Sequence, residues 1–154
     1  KKAIFSFSGL EHRLGLVGEV NGVNYYNDSF STTPETAIAA IKAFDEPMIL
    51  VAGGSEKGSD FTQLGQEIAQ NSVKVLIAIG DMAERIKKAA LKAGFNGKII
   101  FRPKNMEEIV SWAVRVAKSG DIVLLSPACA SFDMFANYKD RGQQFKKHVQ
   151  ALQK

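Results

Sequence analysis

The sequence predicts a three-layer α/β domain with a mostly parallel β-sheet and an N-terminal β-hairpin. LGLVGEV and VNYYNDS flank Asn21-Gly22, a favoured two-residue hairpin turn because both positions tolerate a positive φ angle. After the hairpin, apolar runs alternate with segments of helical periodicity. Repeated β–α units of this kind are typical of a sheet that is covered by helices on both faces.

Four further strands are predicted after the hairpin, at residues 48–54, 74–80, 98–103 and 121–128. All except 98–103 are nearly continuous apolar runs, as burial on both faces of a parallel sheet requires. The 154 residues are enough for one well-buried core, so we expect a single domain over residues 1–154.

Helices are predicted in the gaps and after the last strand. Pro34 suits a first helical position, with Thr32 or Thr33 as its cap. Three polar residues are expected to cap the next three helices: Asp60, Asp81 and Asn105. Two glycines are expected to end the third and fourth helices: Gly94 and Gly120. We expect the last helix to begin near Ser131.

The composition is that of an ordinary globular protein, with 45% apolar and 23% charged residues. The net charge of +4 comes from scattered lysines, which argues against a nucleic-acid groove. No run reaches about 18 apolar residues, so no membrane span is predicted. One cysteine excludes an internal disulfide framework. The sequence shows no signal peptide and no initiator Met, so we expect it to be part of a longer protein.

Polar and glycine-rich residues follow three of the five predicted strand ends that face a common edge. These loops are 27–33, 53–61 and 126–133, whereas 80–81 and 102–105 look like plain helix starts. Ligands of parallel α/β sheets bind outside the carboxyl ends of the strands. The sequence therefore predicts a binding site at one edge, built from three loops.

The first two loops each allow two interpretations. In NDSFSTTPET, the Thr32 and Thr33 hydroxyls and the helix N–H groups can bind an anion, or the loop is a capping cluster in which Asp28 and Ser29 close the turn. GGSEKGSDF is not a Walker loop, since that requires G-x-x-x-x-G-K-[ST]. Its Lys57 can meet an anion or remain solvated.

The third loop, SPACASFD, contains the single cysteine, Cys129. A catalytic cysteine needs a base, and no pattern places His12 or His148 beside this thiol. We therefore interpret Cys129 as a small packing residue, and Ser131 as a helix cap that can also donate to an anion. No zinc spacing occurs, and the carboxylates near helix starts are more typical of caps than of Mg²⁺ ligands, so no metal site is predicted.

Taken in chain order, these motifs resemble the Mur ligase family. The similarity runs from about Gly9 to Phe145 and includes GLEHR, NDS, GGSEKGSDF and SPACASFDMF followed by RGQQF. It implies a Rossmann-like C-terminal domain that lacks the UDP-binding N-terminal domain and the central ATPase domain of the family. SPACASFD favours the member that adds D-glutamate over other Mur or folylpolyglutamate-type ligases.

The resemblance implies an ATP-dependent amide ligase of peptidoglycan biosynthesis in the bacterial cytoplasm, acting as a monomer. ATP phosphorylates the carboxylate of UDP-N-acetylmuramoyl-L-alanine, and the amine of D-glutamate then attacks the acyl phosphate. ATP and Mg²⁺ are held mainly by the central domain. The resemblance assigns no catalytic residue to this domain and implies that the domain is inactive alone.

Site roles also follow from the resemblance. The nucleotide contacts are Arg13 and Asp28. The D-glutamate contacts are Thr32 and Lys57 for one carboxylate, and Ser131 with Phe132 and Tyr138 for the other. Many relatives have Lys where this chain has Phe30, so the assembled site has one cation fewer. Two further hypotheses remain open from the residues: a free-standing α/β binding module, and an enzyme that uses Cys129.

Overall fold

The computed structural model describes residues 10–55 and 58–154, which form a six-stranded sheet with helices on both faces. The strands are Gly15–Val20 (β1), Val23–Asn27 (β2), Met48–Gly53 (β3), Val73–Ile79 (β4), Lys98–Phe101 (β5) and Ile122–Leu125 (β6). Their order across the sheet is β1-β2-β6-β3-β4-β5. Only the β1–β2 pair of these named strands is antiparallel. The predicted α/β fold class is confirmed.

Five helices cover the described sheet in two layers. They are Pro34–Lys42 (α1), Thr62–Gln70 (α2), Ala83–Lys92 (α3), Met106–Val116 (α4) and Tyr138–Ala151 (α5). One layer contains α1, α2 and α3, and the other contains α4 and α5. Within 10–55 and 58–154, no helix combines the length and apolarity needed to cross a membrane.

Strand β3 shows why the apolar runs are continuous. Leu50 packs with the first helix layer, whereas its neighbours Ile49 and Val51 pack with the second. Successive side chains of a strand point to opposite faces, and here both faces are covered. The hairpin prediction is also confirmed, since Asn21 and Gly22 both have positive φ, at 53° and 80°.

The predicted helix boundaries were partly right. Thr33 caps α1 in a capping box with Thr36, and Asn105 caps α4. Gly94 follows the end of α3 with a φ of 99°. The prediction for Gly120 was wrong, because α4 ends at Val116 and its C-cap already has an extended backbone.

Asp60 and Asp81 are not N-caps, contrary to prediction. The N-cap positions of α2 and α3 are Phe61 and Met82, neither of which makes a side-chain cap hydrogen bond. Asp60 instead accepts the Thr62 N–H at 2.9 Å, one position too early for an N-cap. The Asp81 N–H donates to Oδ2 of Asp133, in the loop after β6, at 2.9 Å. A tertiary contact therefore holds this turn.

The last helix begins at Tyr138, seven residues later than predicted. Asn137 is its N-cap and accepts the Asp140 N–H at 2.8 Å. The Ser131 carbonyl accepts the N–H groups of Met134 and Phe135, which forms a separate turn. The prediction that Ser131 caps a helix was therefore wrong.

Candidate functional site

The three loops singled out in the sequence lie side by side at one edge of the sheet. They follow β2, β6 and β3, which are neighbours in the strand order. The chain leaves β3 toward one helix layer and leaves β6 toward the other. Such a reversal opens a crevice at the carboxyl ends of two adjacent strands. The predicted convergence of the loops is confirmed.

Backbone hydrogen bonds join the loop after β6 to both of its neighbours. The Ala128 N–H donates to the Ser31 carbonyl at 3.0 Å, and the Ser55 N–H donates to the Ala130 carbonyl at 2.9 Å. Gly54, with φ of 153°, lies so close to Ala130 that a Cβ there would collide with its carbonyl. The glycines of the second loop therefore allow a close backbone approach.

Asp28 is buried, with 2% of its surface exposed, and it accepts three hydrogen bonds. The Leu14 N–H donates to Oδ1 at 3.1 Å, the Ser126 hydroxyl donates to Oδ2 at 2.8 Å, and the Ser31 hydroxyl also donates to Oδ2. Burial raises the pKa of Asp28, although these hydrogen bonds act in the opposite direction. The turn-closing interpretation of Asp28 is therefore confirmed.

A cleft of about 340 Å³ lies beside this turn. Its walls are largely apolar, and its polar side chains are those of Arg13, Asp28, Ser31 and Thr36. The apolar part of the lining comes from Leu14, Phe30, Ala39, Ala40 and Ala43. The Arg13 side chain is exposed. Apolar walls with one cation suit a ligand that has an aromatic part and a hydroxylated or anionic part.

Ser131 lies in the loop after β6, at the edge where β6 neighbours β3, and only 1% of its surface is exposed. Its Oγ is buried and has no hydrogen-bond partner among residues 10–55 and 58–154. A buried hydroxyl without a partner is unfavourable, so this oxygen is suited to hydrogen bond with a ligand. The neighbouring Phe132 donates its N–H to Ser55 Oγ at 3.3 Å, and its side chain is 71% exposed.

Tyr138 and Thr32, two of the remaining predicted contacts, lie around the first loop. Tyr138 packs its ring edge-on against Phe30, with centroids 5.3 Å apart, and Phe30 also lines the cleft. Thr32 is half-buried, one residue before the α1 N-cap. Lys57 lies outside the described residues. The fold thus brings Thr32, Ser131 and Tyr138 to one edge, with Arg13 and Asp28 on its cleft side.

Cys129 is buried within an apolar cluster that includes Leu124 and Met82. Ala128 before it has a φ of 65°, as expected in a tight turn. His12 instead places Nδ1 at 2.9 Å from the side-chain amide of Asn27. These positions favour the packing interpretation of Cys129.

Arg141 is a part of the site that the sequence prediction missed. Its side chain is 0% exposed, and its guanidinium donates to Ser29 and Cys129. Spacing could have found it, because Arg141, Phe145 and Val149 recur at i, i+4 and i+8 on the buried face of α5. An arginine on an apolar helix face indicates a specific buried partner.

A Mg²⁺ site was not predicted here. In the part of the chain that the structure describes, no group of three or more His, Cys, Asp or Glu side chains is placed to hold a metal ion. Asp28, the most buried carboxylate of the site, already accepts three hydrogen bonds from protein donors. These residues do not fit a protein-ligated metal.

The chain is similar to ligases of known name along nearly all of its length. It is 46% identical over 149 residues to the UDP-N-acetylmuramoylalanine–D-glutamate ligase of Caldanaerobacter subterraneus, covering 97% of this chain and 33% of that protein. The enzyme of the same name from Aquifex aeolicus is 46% identical over 154 residues, covering 97% and 35%. The chain therefore spans about a third of the length of the relatives it matches.

Solved structures show the same fold at low identity. A murein peptide ligase from Psychrobacter arcticus superimposes with a TM-score of 0.64 at 16% identity, over 96% of this chain and 31% of that one. A MurF ligase from Thermotoga maritima, solved with ADP, gives a TM-score of 0.61 at 20% identity, over 95% and 33%. Residues 12–129 match the sequence model of a protein family, which is described as the glutamate ligase domain of Mur ligases. The chain therefore belongs to the Mur ligase family, as its C-terminal domain.

Proposed function

We propose that this chain is the domain through which a D-glutamate-adding ligase binds its amino acid and closes over ATP. The observation that carries the proposal is the buried Ser131 hydroxyl, which lacks a partner in the described residues and lies at the crevice between β3 and β6. The D-glutamate ligases that share 46% identity with the chain support the choice of amino acid.

The proposed reaction forms an amide bond in peptidoglycan biosynthesis. ATP transfers its γ-phosphoryl group to the carboxylate of UDP-N-acetylmuramoyl-L-alanine, which gives an acyl phosphate and ADP. The D-glutamate amine attacks the acyl carbon, phosphate leaves and the amine loses a proton. The UDP-binding and ATPase domains, together with Mg²⁺, would supply this chemistry, so we expect the chain alone to be inactive. We expect the complete enzyme to be a monomer in the bacterial cytoplasm.

D-Glutamate has two carboxylates, and the loops offer two separate places for them. Thr32, with Lys57, would bind one carboxylate at the start of α1, where helix N–H groups favour an anion. Ser131, with Phe132 and Tyr138, would bind the other on the β6 side of the crevice. Two fixed anion sites would orient the amine toward the acyl phosphate, which is how positioning accelerates a reaction.

Nucleotide contacts are proposed for the cleft beside the first loop. Its apolar wall would contact the base, Arg13 would reach the nucleotide as a cation, and Asp28 would lie near the ribose. Three internal hydrogen bonds hold the Asp28 carboxylate in place, so it would meet the nucleotide with little loss of entropy.

The proposal is tested with the full-length protein, supplied with ATP, Mg²⁺ and UDP-N-acetylmuramoyl-L-alanine. Phosphate release is measured with D-glutamate, L-glutamate, D-alanine and L-lysine in turn. Of these four amino acids, we expect only D-glutamate to support turnover. Turnover with a different amino acid, or none with any of them, would overturn the proposed substrate.

A further inference from the structure

We propose that Arg141 is a positioning residue for the amino-acid site, because it holds the two loops of that site at a fixed separation. The inference rests on the proposed function, since it concerns the same D-glutamate site. It adds a residue to which neither the motifs nor the comparisons assign a role.

The Arg141 guanidinium hydrogen bonds to both loops. Nε and Nη2 donate to the hydroxyl and the carbonyl of Ser29, at 2.9 and 2.8 Å. Nη1 donates to the carbonyl of Cys129 at 3.0 Å. Ser29 lies three residues before Thr32, and Cys129 lies two residues before Ser131. One planar group with a fixed donor geometry therefore joins the two proposed carboxylate sites.

Tyr138 belongs to the same network. The Ser29 hydroxyl accepts from Arg141 and donates to the Tyr138 carbonyl at 2.7 Å. Tyr138 is also the first residue of α5, the helix that carries Arg141. Loss of the guanidinium would consequently loosen Thr32, Ser131 and Tyr138 relative to one another.

The charge of Arg141 is a second contribution. Its side chain is fully buried, and its three hydrogen bonds all end on neutral oxygens. A buried charge acts strongly at short range because little water screens it. Among residues 10–55 and 58–154, the Asp133 carboxylate attracts this charge, and a ligand carboxylate at Ser131 would add a second attraction to it.

The nucleotide side is held by different contacts. Asp28 is fixed by Leu14, Ser31 and Ser126, none of which is a partner of Arg141. A change at Arg141 should therefore affect the amino acid more than ATP. A purely structural residue would weaken both substrates together as the domain loosened.

The test compares Arg141→Met and Arg141→Lys in the full-length enzyme, assayed well below the Tm of each variant. We expect Arg141→Met to raise the KM for D-glutamate by about tenfold or more while the KM for ATP stays within about threefold. Arg141→Lys restores the charge without the planar fork, so we expect an intermediate KM. Arg115→Met is the matched control, since Arg115 is exposed and stacks on Trp112 of α4.

Ser29→Ala decides the same question if Arg141→Met does not fold. It removes the hydroxyl that links Arg141 to Tyr138, and we expect it to raise the D-glutamate KM selectively. An unchanged D-glutamate KM, or a parallel rise in both KM values, overturns the positioning role. If D-glutamate is not a substrate of the wild-type enzyme, the proposed function fails instead, and the two failures are thus distinguishable.

Discussion

The imidazole of His12 packs directly against the backbone of Gly142, so that a Cβ at position 142 would collide with its Nδ1. This contact joins the segment before β1 to the middle of α5. Asn27 strengthens it, because its side-chain amide lies 2.9 Å from His12 Nδ1 and 3.3 Å from the Gly142 carbonyl. The GLEHR and RGQQF motifs, far apart in sequence, are therefore complementary in space.

Gly142→Ala should destabilise the fold. Alanine is favoured over glycine in a helix by about 1 kcal/mol. Overpacking costs about 1–3 kcal/mol, and the buried His12 ring cannot easily move away because Asn27 holds it. We expect a net loss in the free energy of unfolding, measured by urea denaturation. Gly15→Ala is the control, since a Cβ there meets only the Asn27 carbonyl at 4.0 Å. Equal stability of the two variants would contradict the packing described.

Acid should weaken the fold through His12. The Asn27 Oδ1 accepts the Ser29 N–H at 3.1 Å, which turns the Asn27 amide NH₂ toward His12 Nδ1. Nδ1 of His12 is therefore the acceptor of this hydrogen bond. Protonation of Nδ1 would place its N–H against the NH₂ group of Asn27, which is also a donor. Burial lowers the pKa of His12 below 6.5; Lys146 and Lys139 lower it further, and Glu11 opposes them.

The sign of the effect follows from linkage. Below pH 6.5 the unfolded chain binds a proton at His12 that the folded chain resists, so stability falls as pH falls. The loss is up to about 1.4 kcal/mol per pH unit between the unfolded and folded pKa values. Unfolding at pH 5 and pH 7 measures it. His12→Gln should reduce the difference, whereas His148→Gln should retain it; an unchanged pH dependence in His12→Gln would exclude His12 as the cause.

Cys129→Ala should leave ligase activity intact in the full-length enzyme. The thiol is buried, and we expect only a small loss of stability, about 1 kcal/mol, from the lost packing. A thiol reagent should label the native protein slowly and the unfolded protein quickly. Loss of activity in a variant that remains folded would revive the hypothesis of a cysteine-dependent enzyme.

Arg13→Ala should raise the KM for ATP by about tenfold while the D-glutamate KM changes little, since one charge-assisted contact is removed. Arg13 lines the cleft, not the β3–β6 crevice. Steady-state kinetics of the full-length enzyme separates the two constants. Arg115→Ala, on the surface of α4, serves as the control. A rise in the D-glutamate KM alone would place Arg13 at the amino-acid site and contradict its assignment to the nucleotide.

Local patterns were sufficient to predict much of the fold. Asn21-Gly22 set the hairpin, and the continuous apolar residues of β3 predicted burial on both faces. The cap predictions failed where tertiary contacts decide. The Asp81 N–H donates to Asp133, which lies 52 residues away, and no local pattern reports that partner.

The sequence predicted which loops form the site, but it did not predict the hydrogen bonds within the site. The positions of loops after β2, β3 and β6 follow from the alternation of strands and helices. Spacing places Arg141 on the buried face of α5, but its contact with Ser29, 112 residues earlier, depends on how α5 packs against the sheet. Ser131 was expected as a helix cap, and its hydroxyl proved instead to have no partner in the described residues.

The most direct measurement of the central claim is the D-glutamate KM of the full-length Ser131→Ala enzyme. We predict a rise of about tenfold or more, because a hydrogen bond to a carboxylate is lost, with an ATP KM close to that of the wild type. Ser111→Ala, on the exposed surface of α4, should match the wild type in both constants. A D-glutamate KM that Ser131→Ala leaves unchanged would contradict the assignment of this crevice as the amino-acid site.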